Sequence, residues 1–149
     1  QVLEARAYGA SGGLLIVRMV PHDRLVAMMD CAAELGLFVL LEAFSAGDLK
    51  IAARIARERD GRDEQVLMGL NCRDLDTLEI DFNRFADLRS QLPLDWPCVA
   101  ESGVQSPADA ARVASLGYRL ALVGTSLMKR ADPKHAVAEF VGAGRKALP

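Results

Sequence analysis

The chain predicts an α/β fold of alternating strands and helices, and three observations carry that prediction. Five short apolar runs, Leu14 to Val20, Phe38 to Ala43, Gln65 to Asn71, Cys98 to Val104 and Leu120 to Gly124, alternate with stretches whose apolar residues recur at helical spacing. The runs are apolar on both faces, the mark of strands in a parallel sheet covered by helices. The length of 149 residues sets the scale. A (β/α)8 barrel spends about 31 residues on each unit, so this length accommodates about five units and not eight. The sheet is therefore either open and doubly wound or part of a barrel. No Gly-x-Gly-x-x-Gly follows the first run, which weakens the dinucleotide-binding version of the open sheet.

Taken in order, residues 1 to 9 read as the end of a helix closed by Gly9, so the chain is expected to begin mid-element. After the first strand, Asp23 is placed to cap a helix whose apolar positions Leu25, Met28, Met29, Ala32 and Leu35 precede Gly36. Ala46 to Arg59 repeats the pattern through Leu49, Ala52, Ala53 and Ile55, and the polar stretch 60–64 reads as a surface loop. Asp81 is expected to cap a helix with Phe82, Phe85, Leu88 and Leu92 on one face, stopped by Pro93. Ser106, Pro107 and Asp109 make a strong helix start, with Val113 on the buried face and Gly117 at the end. Asp132 and Pro133 open a last helix through Val137, Phe140 and Val141.

Composition narrows the class of function. The chain is 51% hydrophobic and 26% charged, the make-up of one globular domain spanning residues 1–149. A net charge of −2, with basic and acidic residues interspersed, argues against nucleic acid or an anionic membrane as partner. Any anion must be held by local geometry. The longest apolar runs are of strand length, and no charged segment precedes an apolar one at the start, so a cytoplasmic protein is expected. Cys31, Cys72 and Cys98 are odd in number and widely spaced, suggesting reduced thiols rather than a disulfide framework or a zinc site. His22 and His135 sit beside predicted helix starts, and no metal is assigned.

Functional groups in parallel α/β folds gather at the C-terminal ends of the strands, and here those ends carry Glu42, Asn71 with Arg73, and Glu101. Asn71 and Arg73 are two apart and project to one side of an extended segment, while Cys72 points the other way, into packing. Arg73 is either a bidentate clamp for a substrate carboxylate or the partner of Asp74, Asp76 or Glu79. Glu42 is either a general base or a strand-end carboxylate wetted by solvent. The runs ending at Ser102-Gly103 and Gly124-Thr125 finish in small residues where helices are about to begin, which is how a fold presents backbone N–H groups to a phosphate. A phosphate cradle beside acidic groups suggests a sugar-phosphate enzyme.

Several of these segments resemble motifs of the indole-3-glycerol phosphate synthase family. They are Leu40-Leu-Glu42, Gly69-Leu-Asn-Cys-Arg-Asp-Leu75 followed by Thr77 to Asp81, Ala100-Glu-Ser-Gly103, and Leu122-Val-Gly-Thr-Ser-Leu-Met128. The upstream Glu4 to Ala10 and Leu14 to Val17 resemble that family as well, so the resemblance covers essentially the whole chain. It implies a (β/α)8 barrel of TIM type, present as a partial barrel of about five β/α units, and a lyase of tryptophan biosynthesis. That family closes a carboxyphenylamino-deoxyribulose phosphate into indole-glycerol phosphate, losing carbon dioxide and water without a cofactor. By resemblance Glu42 is the general base, while Asn71 and Glu101 position the substrate and stabilise the ring-closing intermediate. Arg73 then contacts the substrate carboxylate or its surroundings, and Ser102, Gly103, Leu122, Gly124 and Thr125 form the substrate and phosphate pocket.

The match has departures. Ala43-Phe44 follow Glu42 where the family usually has Val-His, and Thr125 stands where Ser is common. The family's first three strands, which carry a Glu and a Lys on the first and a Lys general acid on the third, have no counterpart here, so this chain is expected to be the C-terminal five-eighths. Its first and last strands are then open edges that pair with the missing N-terminal segment or with other copies. The competing readings are a non-catalytic phosphate-binding half-barrel and another phosphate-barrel enzyme such as phosphoribosylanthranilate isomerase.

Overall fold

The structure is a computed structural model that describes residues 1–60, 62 and 64–148. Five strands form one sheet in the order of the chain: β1 (Gly12–Ile16), β2 (Phe38–Ala43), β3 (Val66–Asn71), β4 (Cys98–Glu101) and β5 (Leu120–Leu122). Every neighbouring pair is parallel, which requires a crossover between each strand and the next. Those crossovers are α2 (His22–Glu34), α3 (Ala46–Glu58), the short α4 (Arg84–Asp87) and α5 (Pro107–Ser115), preceded by α1 (Val2–Ala7). After β5 come a single turn, α6 (Thr125–Met128), and the closing α7 (Pro133–Ala147). No helix among the described residues is long and apolar enough to cross a membrane.

The helices cover one face of the sheet only. Strand residues alternate sides, and those on one face, including Leu15, Leu41, Met68, Leu70 and Ala100, join the helix residues Leu25, Met29, Leu49, Ile55 and Val113 in one core. Leu14, Ile16, Leu40, Leu67, Val99, Leu120 and Leu122 lie on the opposite face, and none of them belongs to that core. Leu14, Leu120 and Leu122 are 41%, 45% and 54% exposed, so the uncovered face opens most at the two edge strands. Of the two arrangements that two-sided apolarity left open, a doubly wound sheet and part of a barrel, cover on one face is that of the barrel. Strands lining the interior of a barrel are apolar inward as well as outward, and this open sheet is part of such a barrel.

Several predicted boundaries also shift. The first strand starts at Gly12 and ends at Ile16, because Val17–Met19 wind into a 3-10 turn and Arg18 reaches across to Asp48 on α3. Gly12 fits there because a Cβ would lie 2.5 Å from the Phe38 ring on β2. The fourth and fifth strands stop at Glu101 and Leu122, the fourth because Ser102 turns left-handed at φ 66°. Asp23 lies inside the first turn of α2 rather than capping it, a position where its charge suits the helix dipole.

The helix expected after Asp81 is only four residues long. Asp81 Oδ1 accepts from the Asn83 amide at 3.2 Å, forming a local turn, and the aromatic side chains anchor the segment instead. Phe85 makes edge-to-face contacts at 5.2 Å with both Phe82 and Tyr118, and the Tyr118 hydroxyl donates to the Phe85 carbonyl at 3.3 Å. Of the predicted 60–64 loop, Gly61 and Asp63 lie outside the described residues.

Candidate active site

The ends of β2, β3 and β4 build the site, and the strand register decides which side chains meet. Glu42 pairs with Gly69, and Asn71 pairs with Glu101. Paired residues of parallel strands project to the same face, as do residues two apart on one strand. Glu42, Asn71 and Glu101 therefore share the uncovered face, and all three are buried, at 5%, 8% and 1% exposure.

Asn71 is fixed on both sides of its amide. Its Nδ2 donates to Glu42 Oε2 at 3.3 Å, and its Oδ1 accepts from the Arg73 amide at 2.8 Å. The Asn71 carbonyl also accepts from Arg84 Nη1 at 3.2 Å. These contacts hold the donor end of the amide toward Glu42.

Glu101 has no such support. Both its carboxyl oxygens are inaccessible and lack a hydrogen-bond partner among the described residues. Burial, then interaction with the adjacent Glu42 carboxyl, pushes its pKa up to about 9. Two carboxylates can only accept, so their contact becomes a hydrogen bond when one of them holds a proton. Burial and the neighbouring carboxyl both favour the protonated form of Glu101.

Arg73 departs from the ion-pair role that was the alternative to a carboxylate clamp. Its Nη1 donates to the Leu78 carbonyl at 3.1 Å, and its backbone bridges Ile80, so it braces its own loop. No ion pair joins it to Asp74, Asp76 or Glu79 among the described residues. The aspartate instead closes the turn, with Asp74 Oδ1 accepting from the amides of Asp76 and Thr77 at 2.9 and 2.8 Å. Cys72 points into the core as its parity predicted, fully buried, and burial pushes its thiol up to about 11.

The two small-residue loops meet at the same end of the sheet. Ser102 and Gly103 are consecutive left-handed residues, at φ 66° and 72°. A Cβ on Gly103 would stand 2.8 Å from Cys72 Sγ and 3.0 Å from Ile80 Cγ2, so only glycine fits that turn. Ser126 Oγ donates to the Val104 carbonyl at 3.2 Å and ties the second loop to the first. Leu122 ends β5, Gly124 caps α6 and Thr125 is its first residue. The start of α5, however, is already occupied: Ser106 Oγ accepts from the Asp109 amide at 3.2 Å, and Asp109 Oδ2 accepts from the amides of Gln105 and Ser106 at 3.1 and 2.9 Å. The Ser106–Asp109 helix start expected from the sequence is formed, and it engages amides there that the phosphate reading counted as open.

Sequence reading missed the bracket above Glu42. Asp48 Oδ2 accepts from the Phe44 amide at 2.9 Å and from Arg18 Nη2 at 2.6 Å, and the Arg18 guanidinium lies 4.6 Å from the centre of the Phe44 ring. Burial alone would raise the Asp48 pKa, but Arg18, the Phe44 amide and the Ser45 hydroxyl hold it below the usual range. The Ser45-x-x-Asp48 spacing was the available signal, since it matches a helix start with an acidic third residue.

Comparison with known proteins adds sequence and fold evidence. Residues 1–140 match the family model described as indole-3-glycerol phosphate synthase. An indole-3-glycerol phosphate synthase of Kineococcus radiotolerans is 40% identical over 144 residues, covering 97% of this chain and 50% of the relative. One of Mycobacterium leprae is 38% identical over the same shares. The chain thus spans about half the length of the curated relatives it matches. Among solved structures, a thiamine phosphate pyrophosphorylase from Pyrococcus furiosus superposes on the whole chain and on 66% of its own, with a TM-score of 0.71 at 18% identity, a likeness of fold alone.

Proposed function

Since this chain belongs to the indole-3-glycerol phosphate synthase family, we propose that it carries the base-bearing part of that enzyme's catalytic site. The reaction closes 1-(2-carboxyphenylamino)-1-deoxyribulose 5-phosphate to indole-3-glycerol phosphate, with loss of carbon dioxide and water. One observation carries the reading: Glu42 and Asn71 meet at 3.3 Å on the face that also holds Glu101. Glu42 removes the proton, Asn71 orients it, and Glu101 supplies a neutral carboxyl beside the reacting atoms. Ser102, Gly103, Leu122, Gly124 and Thr125 hold the sugar phosphate through the joined loops. Arg73 orders the loop above them and presents its remaining N–H groups to the substrate carboxylate.

The same reading gives the open edges of β1 and β5 a use, as the seams where strands from a second polypeptide or from another copy complete the site. It also places the chain in the cytoplasm, where cysteines stay reduced. The chain alone is expected to be inactive, because among the described residues no lysine stands at the C-terminal end of a strand to act as the acid. Mixing it with the N-terminal half of the Kineococcus radiotolerans relative, then following indole fluorescence, tests the proposal. Turnover is expected only in the mixture, falling about a hundredfold or more with Glu42→Gln. A mixture that turns over equally well with Glu42→Gln overturns the role of Glu42.

A further inference from the structure

Gly69 occupies the middle of β3, where a glycine weakens a strand and packs no side chain. Its φ is negative, so backbone conformation does not call for it. Space does. A Cβ on Gly69 would overlap Glu101 Oε1, and would stand 2.9 Å from Glu101 Cδ and 3.1 Å from Leu40 Cδ1. The register explains the geometry. Gly69 pairs with Glu42 on one side and with Val99 on the other, and Glu101 lies two residues beyond Val99 on the same face. The Glu101 side chain therefore leans back along the sheet, over the place where residue 69 would have a side chain, toward the position paired with Glu42, whose carboxyl acts on it.

We propose that Gly69 is a positioning residue whose missing side chain is the slot that seats the Glu101 carboxyl against Glu42, so that the two carboxyls hold one proton between them. The surroundings leave no other arrangement for the charge. Both Glu101 oxygens are inaccessible and without partners among the described residues. Of the neighbouring strands, β2 contributes Glu42, β3 the neutral Asn71, and β5 the apolar Leu122. Arg73, the nearest cation in sequence to Asn71, is turned to the Leu78 carbonyl. Glu42 is the titratable group that acts on Glu101. Two carboxylates in contact, with no cation between them, cannot both ionise. The value of such a pair for catalysis rests on the proposed function, where it keeps an acid and a base side by side; the slot itself does not.

The test is a carboxyl-carbon NMR titration of the whole chain labelled at glutamate. One carboxyl is expected to titrate several pH units above the ordinary range, assigned to Glu101 by its absence in Glu101→Gln. Gly69→Ala should bring that titration down toward the ordinary range by displacing the carboxyl. An unchanged titration in Gly69→Ala, or no high titration in the parent, overturns the proposal. A second readout covers poor folding of the variant. Gly69→Ala should lower the thermal midpoint when Glu101 is present and leave it level or higher in a Glu101→Ala background; an equal drop in both overturns the slot. The titration needs no turnover, so an inactive mixture with this signature intact counts against the proposed function alone.

Discussion

The two ends of the sheet treat buried charge in opposite ways. At the N-terminal ends of the strands, Arg59 is 6% exposed and fully engaged: its Nε and Nη2 donate to the Glu64 carboxylate at 2.8 and 2.9 Å, and its Nη1 lies 2.8 Å from Asp30. This bidentate fork pins α2, the end of α3 and the approach to β3 together. At the C-terminal ends, Glu42 and Glu101 are as deeply buried, yet among the described residues no cation joins them. A satisfied charge at one end and a strained pair at the other is the division expected when one rim of a barrel holds the fold together and the other performs chemistry.

Removing the fork should have the largest effect. Arg59→Met leaves the half-buried Glu64 with only Arg62, at 3.8 Å, and removes the fork to Asp30, and should lower stability by about 2 kcal/mol, read from the urea midpoint. A loss under about 0.5 kcal/mol would erase the contrast between the ends, because such values belong to surface pairs.

The opposite end should respond to pH with the opposite sign. Unfolded, Glu101 ionises near 4.5, and folded it holds its proton to about 9. Between those values the native state binds more protons, so stability should fall as pH rises through that window. Glu101→Gln should remove most of this fall and add about 2 kcal/mol at pH 8, because a neutral amide fits without a proton and donates to Glu42. A flat parent profile over the window, measured by denaturation at each pH, would contradict it. At the acid end, the hydrogen bond from Arg59 holds the Asp30 carboxyl below its ordinary 3.8, so that contribution is lost only as pH falls through the acid range.

The smallest effect is expected at Arg18, which pairs Asp48 at 2.6 Å while remaining 43% exposed. Arg18→Ala should cost about 1 kcal/mol, because the Phe44 amide still satisfies part of Asp48. A loss near that of Arg59→Met would mean that the C-terminal rim depends on its outer ion pair for stability, contrary to the division drawn here.

The alternation of strands and helices was legible because period and punctuation are local properties of the chain. Glu42, Asn71 and Glu101 could be placed at one mouth because parity along a strand needs only counting. The pairing of Glu101 with Glu42 could not be read, since it depends on register between strands and on the absent Cβ of Gly69. Leu14 to Val20 looked like one strand, but Arg18 is drawn to Asp48, thirty residues away, and the backbone winds early. The run from Phe82 to Leu92 has helical spacing, yet Phe82 and Phe85 are anchored to each other and to Tyr118, and the helix stays at one turn. Helical cover of one face or two looks the same in sequence, because a barrel interior asks for the same apolar residues as a helix layer.

The strand order has a consequence for how the molecule is made. Each strand pairs with the one translated just before it, from β1 through to β5, so position in the sheet repeats order of synthesis. A chain leaving the ribosome at roughly 5–20 residues per second can add each new strand to an edge already formed. Within these five strands, each finds its earlier neighbour already made. Growth by accretion also means that a unit gained or lost at either edge leaves the register of the others untouched, as in repeat proteins whose units contact only their neighbours.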